Sequence, residues 1–292
     1  MKNNIIRLFA ISTIVAATSC NFNKSINKDF ATGLKTTGDG ISASSVDITV
    51  NNEEASSDKY TYGQTIVTTF NDIDGFTVED GKYFPKMAVA MVSKKGDTVF
   101  ANSDLLPNSA SGLSSIKRQL KGQVILANPI LSGDTYNLIY TISDLKGDGV
   151  FVSKMPVELI KDSNIKISSE KLGYSEGYIM SATHKSVITN RKVGFNDKLL
   201  FIFEGLKGFT TKDGFVELGM TMTVEDYNGT VILDQPDMFL NQKATQAQVS
   251  QSIQASLVLT KGTLENPLKW HIKIWDKNSK AKITAETLLE VE

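Results

Sequence analysis

Residues 75–106 read GFTVEDGKYFPKMAVAMVSKKGDTVFANSDLL, and residues 208–239 read GFTTKDGFVELGMTMTVEDYNGTVILDQPDMF. Laid over each other at a constant shift of 133 without a gap, they are identical at eight of thirty-two positions. The pairs are Gly75/Gly208, Phe76/Phe209, Thr77/Thr210, Asp80/Asp213, Gly81/Gly214, Met87/Met220, Gly96/Gly229 and Asp104/Asp237. Chance supplies about two at ordinary composition. Apolar positions track as well, among them Val89/Met222, Val99/Ile232 and Leu106/Phe239, and upstream Tyr62/Phe195, Ile66/Leu199 and Phe70/Phe203 keep the same shift. Downstream the shift is 132, matching Ile142/Ile274, Asp144/Asp276 and Glu158/Glu290, as a one-residue deletion in the loop around 127–137 would give. Self-similarity over such a length means one structural unit built twice.

Each unit reads as strands. Met87–Met91, Tyr136–Ile142 and Trp270–Ile274 alternate apolar and polar residues with period two, the pattern of half-buried strands. Asp80-Gly81, Asp213-Gly214 and Asn228-Gly229 are tight-turn pairs that tolerate positive φ. Many short strands and turns within about 120 residues predict an all-β chain of two tandem, internally duplicated antiparallel β-sandwich domains, over 45–161 and 162–292. Ser132-Gly133-Asp134-Thr135-Tyr136 resembles the tyrosine-corner strand of immunoglobulin-like domains, which implies that the Tyr136 hydroxyl ties back to the backbone. Repeat two departs from this, with Leu268 at the matching place. Leu113, Ile116 and Leu120, matched by Val249 and Ile253, fall at helical spacing, so each unit is expected to carry one short crossover helix, with an edge strand as the alternative.

The first twenty residues place Lys2 and Arg7 before the apolar run Leu8–Ala17, then Thr18, Ser19 and the chain's single cysteine, Cys20. The run is too short to span a bilayer. Ala17-Thr18-Ser19-Cys20 resembles the bacterial lipobox, although Leu is commoner than Ala at its first position. The resemblance implies cleavage after residue 19 and a lipidated Cys20 as the mature N-terminus. Residues 20–44, rich in Ser, Thr, Asn, Lys and Gly, are expected to be a flexible tether, with Phe30–Leu34 able to add an edge strand. Neither Asp at the second mature position nor an acidic run after the cysteine is present, which leans toward the periplasmic face of an outer membrane.

The chain carries 31 basic and 32 acidic residues; without Lys2 and Arg7 the balance is 29 to 32, a net charge of −3. Such a body does not attract nucleic acid through charge. One cysteine and two histidines, His184 and His271, exclude a Cys/His-rich zinc site. No nucleophile elbow, phosphate loop or dinucleotide fingerprint occurs, so no catalytic residue, metal or cofactor is assigned. The weak candidates are an acidic loop region, Asp72, Asp74, Glu79 and Asp80 with Asp144 and Asp148, which offers hard oxygen ligands but not a calcium-loop spacing. A second is an aromatic surface at Trp270 and Trp275, whose odd spacing puts them on opposite faces of one strand. The expectation is a non-enzymatic, lipid-anchored envelope protein that binds a protein or glycan partner or serves as a structural module. The alternatives are a glycan- or calcium-binding accessory lipoprotein for nutrient capture and, behind it, a hydrolase with an interdomain site.

Overall fold

The computed structural model describes residues 24–114, 118–260, 262 and 265–292. Unit one is built from β1 (Lys24–Lys28), β2 (Lys35–Asp39), β3 (Ser45–Val50), β4 (Thr65–Asn71), β5 (Pro85–Ser93), β6 (Thr98–Asn102), β7 (Leu120–Ile125), β8 (Thr135–Asp144) and β9 (Val150–Ile160). Unit two follows with β10 (Lys166–Glu170), β11 (Glu176–Ser181), β12 (Lys198–Glu204), β13 (Leu218–Glu225), β14 (Val231–Gln235), α1 (Gln246–Gln251), β15 (Ser252–Val258), β16 (Leu268–Asp276) and β17 (Lys282–Val291).

In unit one the larger sheet runs β1-β2-β9-β8-β5-β6, and β7-β4-β3 lies in a second sheet. In unit two the order is β10-β17-β16-β13-β14, with β11-β12-β15 in the second sheet. The short strand Lys59–Thr61 pairs in parallel with the end of β9, and Lys192–Val193 does the same with the end of β17. Both units are therefore antiparallel sandwiches with one parallel flap, in the same order. The register repeats too: Ile142 stands opposite Met87 and Phe151, and Ile274 opposite Met220 and Ile283.

Alternation becomes burial. Along β8, Tyr136, Leu138, Tyr140 and Ile142 point inward and every intervening residue is half-buried. Along β16, Leu268, Trp270, Ile272 and Ile274 point inward likewise, with Lys269 and His271 half-buried and Lys273 exposed between them. Each such side chain contributes roughly 1.5–3 kcal/mol by leaving water. The two sets form two separate cores, one per unit.

The turns explain the shared glycines. Asp80-Gly81 and Asp213-Gly214 carry positive φ at both residues, the geometry that closes a two-residue hairpin. Gly75 and Gly208 also have positive φ, and a Cβ on either would lie 1.9 Å from the Gly40 carbonyl oxygen or 2.3 Å from that of Lys171. At both places two chain segments cross in direct backbone contact.

Three local expectations change. Residues 24–39, read as tether, instead form a hairpin: β1 pairs with β2 over five residues, and β2 pairs with β9. Its turn is held by Asp29, whose carboxylate accepts from the Ala31 and Thr32 amides and the Thr32 hydroxyl. Phe30 lies in that turn, 86% exposed, not in a strand. In unit one the expected helix is absent from the described residues: Leu113 pairs with Tyr83 in a two-residue strand and Leu120 opens β7. Ile116 lies outside the described residues, as do the leader, Cys20 and residues 21–23. Unit two does carry the helix, α1, closed by a capping box between Thr245 and Gln248 and burying Val249.

Candidate functional site

The acidic loop residues are spread over separate tasks. Asp144 is buried and accepts from the Thr77 amide at 2.7 Å and the Lys146 amide at 3.0 Å. Asp276 holds the same place in unit two, accepting from the Thr210 amide at 2.7 Å, the Asn278 amide at 2.9 Å and the Ser279 hydroxyl at 2.7 Å. Burial pushes the Asp276 carboxyl up, but those three donors outweigh it and hold it below the usual carboxylate range. Asp104 and Asp237 form a second matched pair, accepting from the Leu106 and Phe239 amides.

Asp74 pairs with Arg118 at 2.7 Å, Glu79 with Lys146 at 3.2 Å, and Asp72 accepts from Ser44. Asp80 occupies its turn, and Asp148 is exposed in the loop after β8. Among the described residues no three acidic, His or Cys side chains come together in a metal-holding group.

The aromatic candidates separate as their spacing implied, with one correction. Trp270 is fully buried and meets Phe201 edge-to-face at 5.4 Å, so it belongs to the core and not to a binding surface. Trp275 is half-buried; its indole lies where a Cβ on Gly219 would be, and Lys273 approaches its ring at 5.6 Å. The tyrosine corner is present in unit one, where the Tyr136 hydroxyl accepts from the Leu131 amide at 3.0 Å and faces the Leu131 carbonyl at 3.3 Å. In unit two Asn266 does a comparable service, bonding both backbone groups of Val291. His184 lies 3.0 Å from Asp197, and His271 stands between Thr223 and Glu286 on the half-buried face of β16.

The constellation that the residue patterns did not single out lies where the units meet. The Tyr62 hydroxyl of unit one donates to Glu204 of unit two at 2.7 Å, and Tyr178 donates to the other oxygen of the same carboxylate at 2.7 Å. The two rings lie 5.4 Å apart. The Asn128 amide donates to the Tyr62 hydroxyl at 2.9 Å, completing a chain of bonds across the junction. Burial, with the Glu204 carboxylate beside them, pushes both tyrosine hydroxyls above their ordinary range.

Glu176, the register partner of Glu204, is buried to 2% and takes the amide and hydroxyl of Ser132 from unit one. Two carboxyl groups thus face the interunit space, as an interdomain hydrolase would need. Every one of their four oxygens, however, already accepts a hydrogen bond from this chain, the Glu176 oxygens from the Ser132 amide and hydroxyl respectively. The one trace in the sequence was that Glu204 replaces Asn71 between the repeats.

No protein-family model matches the chain. No curated protein matches it either. Among solved structures it is similar to pT26-6p, at 9% identity and a TM-score of 0.27, covering 92% of this chain and 65% of that one, so that it spans about two thirds of pT26-6p. It is also similar to a DUF3823 family protein from Bacteroides ovatus, at 10% identity, a TM-score of 0.23 and coverage of 75% and 93%. A third is the C-terminal domain of the Streptococcus agalactiae AgI/II polypeptide BspA, at 9% identity, a TM-score of 0.25 and coverage of 82% and 99%. Similarities of this degree assign no activity.

Proposed function

We propose that the chain is a non-enzymatic lipoprotein of the cell envelope, anchored through Cys20 to the periplasmic face of the outer membrane. It acts as a two-domain binding or structural module toward a protein partner. The observation that supports this reading best is the closed junction. Tyr62, Tyr178 and Ser132 give each oxygen of Glu204 and Glu176 a hydrogen-bond donor, which favours cohesion over catalysis for the space between the sandwiches. Bonds to an ionised acceptor are the stronger kind, and two such anchors favour one stiff body over two swivelling beads. That leaves outer edges and loops for recognition. Of the acids that a calcium reading would use, Asp144 is held by backbone amides, Asp74 and Glu79 by Arg118 and Lys146, and Asp72 by Ser44, and Trp270 is unavailable to a glycan.

The test is crosslinking and pull-down of the protein from its native envelope, with mass spectrometry of its mature N-terminus. The expected result is an acylated Cys20 peptide and a discrete protein partner. An unmodified Cys20 on an intact leader would remove the anchor. Hydrolysis of envelope glycans that disappears in E176Q would replace the binding module with an enzyme.

A further inference from the structure

Unit two contains a pocket of about 130 Å³, open on one side, whose apolar walls include Val216, Leu218, Phe239, Val249 and Ile253 and whose rim carries Gln242 and Lys243. Hydrogen bonds brace its helical wall. Thr245 and Gln248 cap α1, and the helix is tied to the strand end by Gly205 donating to the Ser250 carbonyl and the Ser250 hydroxyl donating to Leu206. Beside it, Lys243 and Glu217 pair at 2.6 Å. A largely apolar pocket of this size is ligand-sized: a cavity of about 150 Å³ lined by Leu, Ile and Phe takes up benzene.

The sister unit indicates what belongs there. Val216 is the second residue of the strand Phe215–Val216 and stands opposite Ala244. Its counterpart is Tyr83, second residue of Lys82–Tyr83, opposite Leu113. Both face inward, but Tyr83 is a ring buried to 2%, and Val216 is a small aliphatic side chain. At this register position unit one therefore carries a buried phenol ring, 5.1 Å from the Phe76 ring, and unit two does not. The surroundings have changed in the same direction. Phe215 and Leu240, next to the lining residues Val216 and Phe239, are 45% and 66% exposed, whereas Lys82 and Pro107 stand at those places in unit one.

We infer that this cavity is the recognition site of unit two and that it receives an aromatic side chain, phenol-sized, from a protein partner. The inference rests on the binding-module reading for its occupant but is independent of the lipid anchor.

The probe is p-cresol, the tyrosine side chain itself, titrated into the methyl-labelled mature protein by NMR, followed by N-acetyl-tyrosine amide. Saturable shifts are expected at Val216, Leu218, Val249 and Ile253, with a dissociation constant of about a millimolar, and unit-one methyls should stay still. Val216→Tyr should abolish them by supplying the ring from within. Should that variant misfold, as unit-two methyl dispersion would show, Val249→Met narrows the same cavity from the helix and should weaken binding about tenfold. No saturable shift up to about ten times that concentration, or equal shifts in wild type and both variants, overturns the site. Binding of p-cresol without the amide overturns the side-chain occupant, while a failed pull-down with intact p-cresol binding overturns only the module reading.

Discussion

Asp276→Ala tests whether the matched aspartates hold the sandwiches together. The substitution removes three hydrogen bonds, from the Thr210 and Asn278 amides and the Ser279 hydroxyl. A bond to a charged acceptor contributes about 1.5–3 kcal/mol when both partners are dry. Thr210, Asn278 and Ser279 are exposed residues, so water recovers part of each, and about 1 kcal/mol per bond is the better figure. The expected loss is about 3 kcal/mol, or a fall of about 1.5 M in the urea midpoint at a slope near 2 kcal/mol per M. Both tryptophans lie in unit two, so fluorescence reports that unit directly. The carboxyl is held below its ordinary 3.8 in the folded protein, so its contribution is complete above that value and lost as pH falls through the lower folded value. Wild type should therefore approach Asp276→Ala as pH falls through that lowered folded value, while differing from it at pH 7. A midpoint shift under about 0.3 M at pH 7, or a gap that persists unchanged into acid, would refute the role assigned to this carboxylate.

Tyr136→Phe should cost unit one about 1–2 kcal/mol and raise hydrogen exchange at the Leu131 amide, because only the corner bond is removed; unchanged exchange there would argue against the corner. Gly75→Ala and Gly208→Ala should each cost about 3 kcal/mol or more in thermal or urea unfolding, since they combine positive φ with a Cβ inside a carbonyl oxygen. Gly81→Ala, with open space around the same kind of φ, should cost about 1 kcal/mol. Trp275→Phe should remove the acrylamide-accessible emission and Trp270→Phe the blue-shifted, protected component, as buried and half-buried indoles require.

The duplicated sandwich was legible because its signals are local. Turn pairs demand positive φ wherever they stand, and period-two alternation survives whatever the neighbouring strand is. The hairpin at 24–39 was not legible for the reason that makes it an edge. Lys24-Ser-Ile-Asn-Lys28 lies at a sheet margin, where polar and charged residues are favoured, so it reads as linker until Asp29 is seen closing the turn. Leu113, Ile116 and Leu120 fit a helical period as readily as their counterparts do, but pairing of Leu113 with Tyr83, thirty residues away, overrides local spacing. The junction was least legible of all. Glu204 and Tyr62 are 142 residues apart, and a carboxylate that caps two tyrosines looks, in sequence, like any strand-end acid.

The positions that stayed identical between the units argue for where function has diverged. Gly75/Gly208 permit a backbone crossing, Asp80/Asp213 and Gly81/Gly214 make one turn, and Gly96/Gly229 sit at positive φ in another. Thr77/Thr210 offer their amides to Asp144 and Asp276, Asp104/Asp237 hold the chain after β6 and β14, and Met87/Met220 are fully buried. Seven of the eight identities thus have a structural duty, and Phe76/Phe209, half-buried against their cores, supply the eighth. If the chain is the binding module proposed above, recognition is to be sought among the positions that differ while sharing a place in the fold. Asn71/Glu204 turned a strand end into the junction between units. Tyr83/Val216 exchanged a buried ring for an open cavity, and Lys82/Phe215 placed an exposed apolar residue beside it. The first change fixes the units to each other, and the other two leave unit two with the space and the surface to take hold of something else.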